Sequence, residues 1–131
     1  MDLSLSPEET QFRDELRAWL EKHAPKDWEH RREASIEQQF AFLRSWQKTL
    51  YDGGWAGISW PRQYGGRGAN LMQQVLFWQE LARVSAPPMA NVIGLGMVGP
   101  TIIAFGTEAQ KARYLPGILS ADEIWLSLIH I

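Results

Sequence analysis

Residues 89–105, MANVIGLGMVGPTIIAF, carry no charge. A helix that is apolar on every side belongs in the interior of a fold. A bilayer-spanning helix needs roughly 20 apolar residues, and this run is shorter and broken by Gly94, Gly96, Gly99 and Pro100. The run is therefore expected to be a buried helix, with the rest of the chain folded around it.

The flanking sequence supplies helices to do that. Ser6-Pro7-Glu8-Glu9 reads as a capping box with proline at the first helical position. Phe12, Leu16, Trp19 and Leu20 then fall on one face, and Pro25 ends the helix. Residues 26–34 are charged and read as a solvated connection. Ser35 caps a second helix to about Leu50, with Ile36, Phe40, Leu43, Trp46 and Leu50 at helical spacing. Residues 55–70 form a structured loop, in which Trp60 precedes Pro61 and Gly65, Gly66 and Gly68 have access to positive φ. Asn70 caps a third helix, roughly 71–84, with Leu71, Val75, Trp78 and Leu81 predicted inward. Gly106 and Thr107 stop one helix and start a short one at about 108–114, ended by Pro116-Gly117. Residues 118–128 are expected to hold a short helical piece and then an extended segment. The fold class is all-α, an orthogonal or up-down bundle of four to six helices with a possible extended end.

Composition narrows the function. A chain of 131 residues suggests one domain and can bury about two thirds of its unfolded surface. A net charge of −2, with both signs dispersed, argues against nucleic-acid binding. Without cysteine there is no disulfide, thiolate nucleophile or Cys-based metal site. The start has no basic flank and no apolar core, so no signal peptide is expected and the expected location is cytoplasmic.

Chemistry-bearing residues are sparse. His23, His30 and His130 share no metal-ligand spacing. Glu8 and Glu9 suit helix capping, Glu108 and Glu123 read as solvated charge, and Ser59 and Ser85 have no neighbouring base. Arg62 and Arg67 could meet a phosphate. Gly94 to Gly99 matches G-x-G-x-x-G, but no strand leads into it, Pro100 interrupts the helix it needs, and no acidic residue follows at about 20 positions. Two readings of these glycines stay open: close packing against another backbone, or room left for a ligand.

Gly54-Trp55-Ala56-Gly57, Trp60-Pro61 and Tyr64-Gly65-Gly66-Arg67-Gly68, followed by Phe105-Gly106-Thr107-Glu108-Ala109-Gln110-Lys111-Ala112-Arg113-Tyr114-Leu115-Pro116, resemble the amino-terminal domain of acyl-CoA dehydrogenases. The resemblance runs from about Leu5 to Trp125. It implies α,β-dehydrogenation of an acyl-CoA thioester with FAD as cofactor and an electron-transfer flavoprotein as acceptor, by an enzyme that is a homo- or hetero-oligomer; the lack of a long apolar run separately leads to the expectation of no membrane span. It implies a parent of three domains whose catalytic glutamate lies beyond this chain, so no catalytic residue is expected here, no FAD-binding residue can be named, and little or no FAD is held by this chain alone. By alignment to Pro100, it places the acyl-pocket wall at Met89, Val92, Ile93 and Gly96, with Gly96 suggesting room for a branched or polycyclic group. After Trp125 the family continues into a flavin-seating loop. Here residues 126–131, LSLIHI, depart from that pattern, so residues 1–125 are expected to be the family domain and the remainder a foreign tail after an interruption. An acyl-CoA oxidase, a non-enzymatic helical interaction module and the dinucleotide-binding reading remain as alternatives.

Overall fold

The computed structural model describes residues 4–26, 28–29 and 34–126. His30, His130 and residues 127–131 of the expected foreign tail lie outside the described residues. The described part is all-α, with no strand. Its helices are α1 (Pro7–His23), α2 (Ile36–Asp52), α3 (Leu71–Arg83), α4 (Gly99–Phe105) and α5 (Glu108–Ser120), with a 3-10 turn at Arg62–Tyr64 and a π-helical turn at Gly94–Val98.

Capping fixes where the helices begin. Ser6, Ser35, Asn70 and Thr107 each accept a bond from the backbone N–H three residues on, and Glu9, Gln38, Gln73 and Gln110 each return a side-chain bond to the cap's N–H. Each pair satisfies donors that a helix start would otherwise leave unpaired. At the end of α1, His23 stacks on Trp19 with ring centres 4.5 Å apart, and its Nδ1 lies 2.8 Å from the Trp19 carbonyl.

The helices pack as α1 on α3, α2 on α5 and α4 on α5. Phe12, Leu16 and Leu20 of α1, Trp46 and Leu50 of α2, Leu76, Phe77 and Leu81 of α3, and Leu115, Ile118 and Leu119 of α5 form one core with Trp55, Ile58 and Trp60 of the loop. That loop folds back on itself: Gly68 N–H donates to Trp60 O at 2.8 Å, and Ala69 N–H to Ile58 O at 3.0 Å. Gly65 and Gly68 do take positive φ, but Gly66 does not; a Cβ there would collide with the Trp60 carbonyl. Arg67 lies 3.5 Å above the Trp55 ring and pairs with Glu15 at 2.6 Å. Arg62 Nε donates to the Arg67 carbonyl. Both arginines that could have met a phosphate are thus tied into the loop.

Several expectations need correction. In α2, Ile36 is 85% exposed and Phe40 also faces out, because the core begins only at the second half of that helix. In α3 the inward face is Leu76, Phe77, Glu80 and Leu81, while Leu71, Val75 and Trp78 point outward. Glu80 lies on that inward face. It is buried but held bidentately by Arg17 (2.6 and 3.0 Å) and by Arg83 (2.7 Å). The Arg17 guanidinium, with Arg83 beside it, outweighs burial and holds the Glu80 carboxyl below its ordinary range. Helix α5 does not stop at Pro116 but runs to Ser120. Burial of Leu115, Ile118 and Leu119 on one side outweighs the single backbone bond that proline removes. Gly106 ends α4 in an extended conformation rather than a left-handed one.

Candidate acyl-facing wall

The uncharged run is helical but not buried all round. Its inward side carries Asn91, Gly94 and Gly99, which are buried, with Met89, Leu95, Val98, Ile102 and Ile103 packed against the core. Its outward side carries Val92 (62% exposed), Gly96, Met97 (60%), Pro100, Thr101, Ala104 and Phe105 (87%). An interior helix was expected. The outward side is apolar yet has no partner among the described residues.

The inward side is held by a buried amide pair. Asn91 Nδ2 donates to the carbonyls of Ile118 (3.1 Å) and Glu123 (2.8 Å), and its Oδ1 accepts from Gly94 N–H (3.2 Å) and Trp125 N–H (3.1 Å). Gln47 Oε1 accepts from Asn91 N–H at 2.9 Å, and its Nε2 donates to Ile118 O and Leu119 O. All of these amide groups are paired, as buried polar atoms require. The network ties the start of the wall to α2, α5 and the segment after α5. Sequence reasoning missed both residues. The available signal was Asn91 itself, the one amide in an otherwise uncharged and largely apolar run.

The glycines differ in their surroundings. A Cβ on Gly94 would overlap the Asn91 amide, and one on Gly99 would overlap the Trp60 indole. Those two glycines serve close packing. Gly96 has nothing within 4 Å of where its Cβ would stand. The four residues named for the wall are therefore split. Val92 and Gly96, one turn apart, share the open face, whereas Met89 and Ile93 are half-buried. One turn further on, Met97, Thr101 and Phe105 form one side of an open groove of about 510 Å³, with Tyr114 and Trp125 opposite. Those two rings pack edge to face, centres 5.7 Å apart. Sequence reasoning did not name the groove residues, because α5 and residue 125 meet the wall only through the fold.

The wall has no acid, base or nucleophile. Among the described residues no group of three metal-ligating side chains is assembled, and no helix is long and apolar enough to cross a membrane. The glycine run is not a phosphate cradle, since it lies in a helix with Asn91 and Trp60 against two of its glycines. The polar cleft between α1 and the loop, lined by Glu8, Gln11, Glu15, Arg62 and Arg67, has its two guanidiniums already engaged. What the geometry can do is present an apolar surface with open space at Gly96.

A family model described as "Acyl-CoA dehydrogenase, N-terminal domain" matches residues 6–122. The chain is 34% identical over 119 residues to the acyl-CoA dehydrogenase IpdE1 of Mycolicibacterium smegmatis, a match covering 88% of this chain and 30% of that protein. Among solved structures, the ChsE4-ChsE5 complex from Mycobacterium tuberculosis matches with a TM-score of 0.73 and 30% identity, over 93% of this chain and 30% of that one. A structure described as "Tcur3481-Tcur3483 steroid ACAD" matches with a TM-score of 0.71 and 36% identity, over 95% and 32%. The chain thus spans about 30% of the length of the relatives it matches.

Proposed function

This chain belongs to the acyl-CoA dehydrogenase family as its N-terminal domain, and from that premise we propose that it supplies one apolar wall of the acyl pocket in an FAD-dependent enzyme that forms a Cα–Cβ double bond in an acyl-CoA thioester. The observation that carries this reading is the open face of Val92, Gly96 and Met97, apolar and unpartnered among the described residues. Ligand pockets are mostly apolar with few polar groups, and this face has that character.

On this reading the wall binds the acyl chain, holds its direction and excludes water from beside it. The base and the flavin seat belong to protein outside these residues, so the chain alone is inactive and purifies without flavin colour. The open space at Gly96 supports a bulky acyl group, branched or polycyclic, and the steroid description of one solved relative is in keeping with that. The two-component names of the solved relatives support assembly of the enzyme from more than one kind of chain. The acyl-CoA substrate and an electron-transfer flavoprotein complete the proposed partners.

The test is Gly96→Leu in the assembled flavoenzyme. A side chain filling that gap should lower kcat/KM for a ring-bearing acyl-CoA by about 10- to 100-fold and leave a short straight-chain substrate nearly unchanged. An equal effect on both substrates would contradict the reading.

A further inference from the structure

The helix that carries the wall changes its hydrogen-bond register along its length. Gly99 N–H donates to Gly94 O, the i→i+5 spacing of a π turn. Pro100 gives the cause. It has no N–H, and in an unbroken α-helix its ring would press on the carbonyl of Gly96. Widening the helix relieves that contact but displaces another group. The Leu95 carbonyl would accept from Gly99 in the α register and from Pro100 in the π register. The first donor is directed to Gly94, and the second does not exist.

Trp60 fills the gap. Its indole Nε1–H donates to Leu95 O at 2.9 Å. The same ring occupies the space beside Gly99 that any larger residue would need. The ring is itself fixed, since Trp60 is buried and its backbone is bonded at both ends, N–H to Gly57 O and carbonyl from Gly68 N–H. One extra residue in a helix rotates everything beyond it by about 100°. The register therefore decides whether Met97, Thr101 and Phe105 continue the face begun by Val92 and Gly96.

We infer that Trp60 is a positioning residue for the wall: its indole N–H holds the π turn at Gly94–Val98 and thereby sets which side chains line the acyl group. This rests on the acyl-pocket reading and adds what fixes the pocket's selectivity.

The experiment places benzothienylalanine at position 60 in the assembled flavoenzyme, keeping the fused ring and removing only the N–H. Trp60→Phe serves as the genetically simpler companion. Loss of the N–H should change the ratio of kcat/KM for ring-bearing over straight-chain acyl-CoA by about tenfold, with little change in thermal midpoint. An unchanged ratio, or a change that comes only with a large fall in thermal midpoint, overturns the positioning role. If the wild-type enzyme dehydrogenates no acyl-CoA, the acyl-pocket reading fails and the selectivity role with it. The register claim is then decided on this chain by exchange of the Trp60 indole proton with solvent: slow exchange supports the bond to Leu95, and fast exchange overturns it.

Discussion

Two sides of this domain use apolar residues in opposite ways. Around α1, α3 and the tryptophan loop, Phe12, Leu16, Trp55, Phe77 and Leu81 close on one another and leave almost nothing exposed. Along the π turn and α4, an equally apolar sequence buries only one side and turns Val92, Met97 and Phe105 outward. The first side is a finished core. The second is held just as firmly from behind, by Asn91, Gln47 and Trp60, but its front is left open. Composition cannot separate the two; what separates them is where the supporting polar bonds lie.

The sharpest break between the sides should appear on truncating large side chains. Phe77→Ala is expected to cost about 3–5 kcal/mol, because it empties a fully enclosed site. Met97→Ala should change stability by no more than about 0.5 kcal/mol, since its side chain is mostly in solvent. Chemical denaturation of the two variants measures both. Equal costs would mean that the wall is as closed as the core.

Glycines sharpen the same contrast on a smaller scale. Gly99→Ala drives a methyl group into the buried Trp60 ring and is expected to cost about 1–3 kcal/mol. Gly96→Ala meets nothing and should stabilise the helix by about 0.5–1 kcal/mol. Denaturation midpoints of the pair test this, and a loss of stability on Gly96→Ala would show that the gap is not open.

The smallest effect concerns pH. The folded-state pKa of Glu80 is depressed by Arg17 and Arg83, so its contribution to stability is present above the ordinary carboxylate value of 4.5 and is lost as pH falls through the lower folded value. Glu80→Gln should therefore lower the thermal midpoint at pH 7 and narrow the gap to wild type towards pH 3. A constant difference across that range would remove the ionic account.

Much of the fold could be read from residues in advance, and the misses share a cause. All four N-caps were legible in advance, because a cap depends on residues close by in sequence. The inward face of α3 was misread at Leu71, Val75 and Trp78; the face that is buried includes Glu80, whose partner Arg17 is far away in sequence. Pro116 looked like a stop until the contacts of Ile118 and Leu119 outweighed it. For the site, the uncharged run and its glycines were legible, and Gly96 stands in open space. The groove partners Tyr114 and Trp125, and the supports Asn91, Gln47 and Trp60, were not, because each acts through a contact made only in the folded chain.

The central claim is that the open face meets an acyl group. The chain has no cysteine, so Gly96→Cys introduces a single reporter at the gap. Alkylation of that thiol in the assembled flavoenzyme, followed by mass spectrometry of its peptide, should be fast without ligand and strongly slowed by a bound acyl-CoA. Labelling that ignores acyl-CoA, or that is blocked equally in the ligand-free enzyme, would contradict the claim.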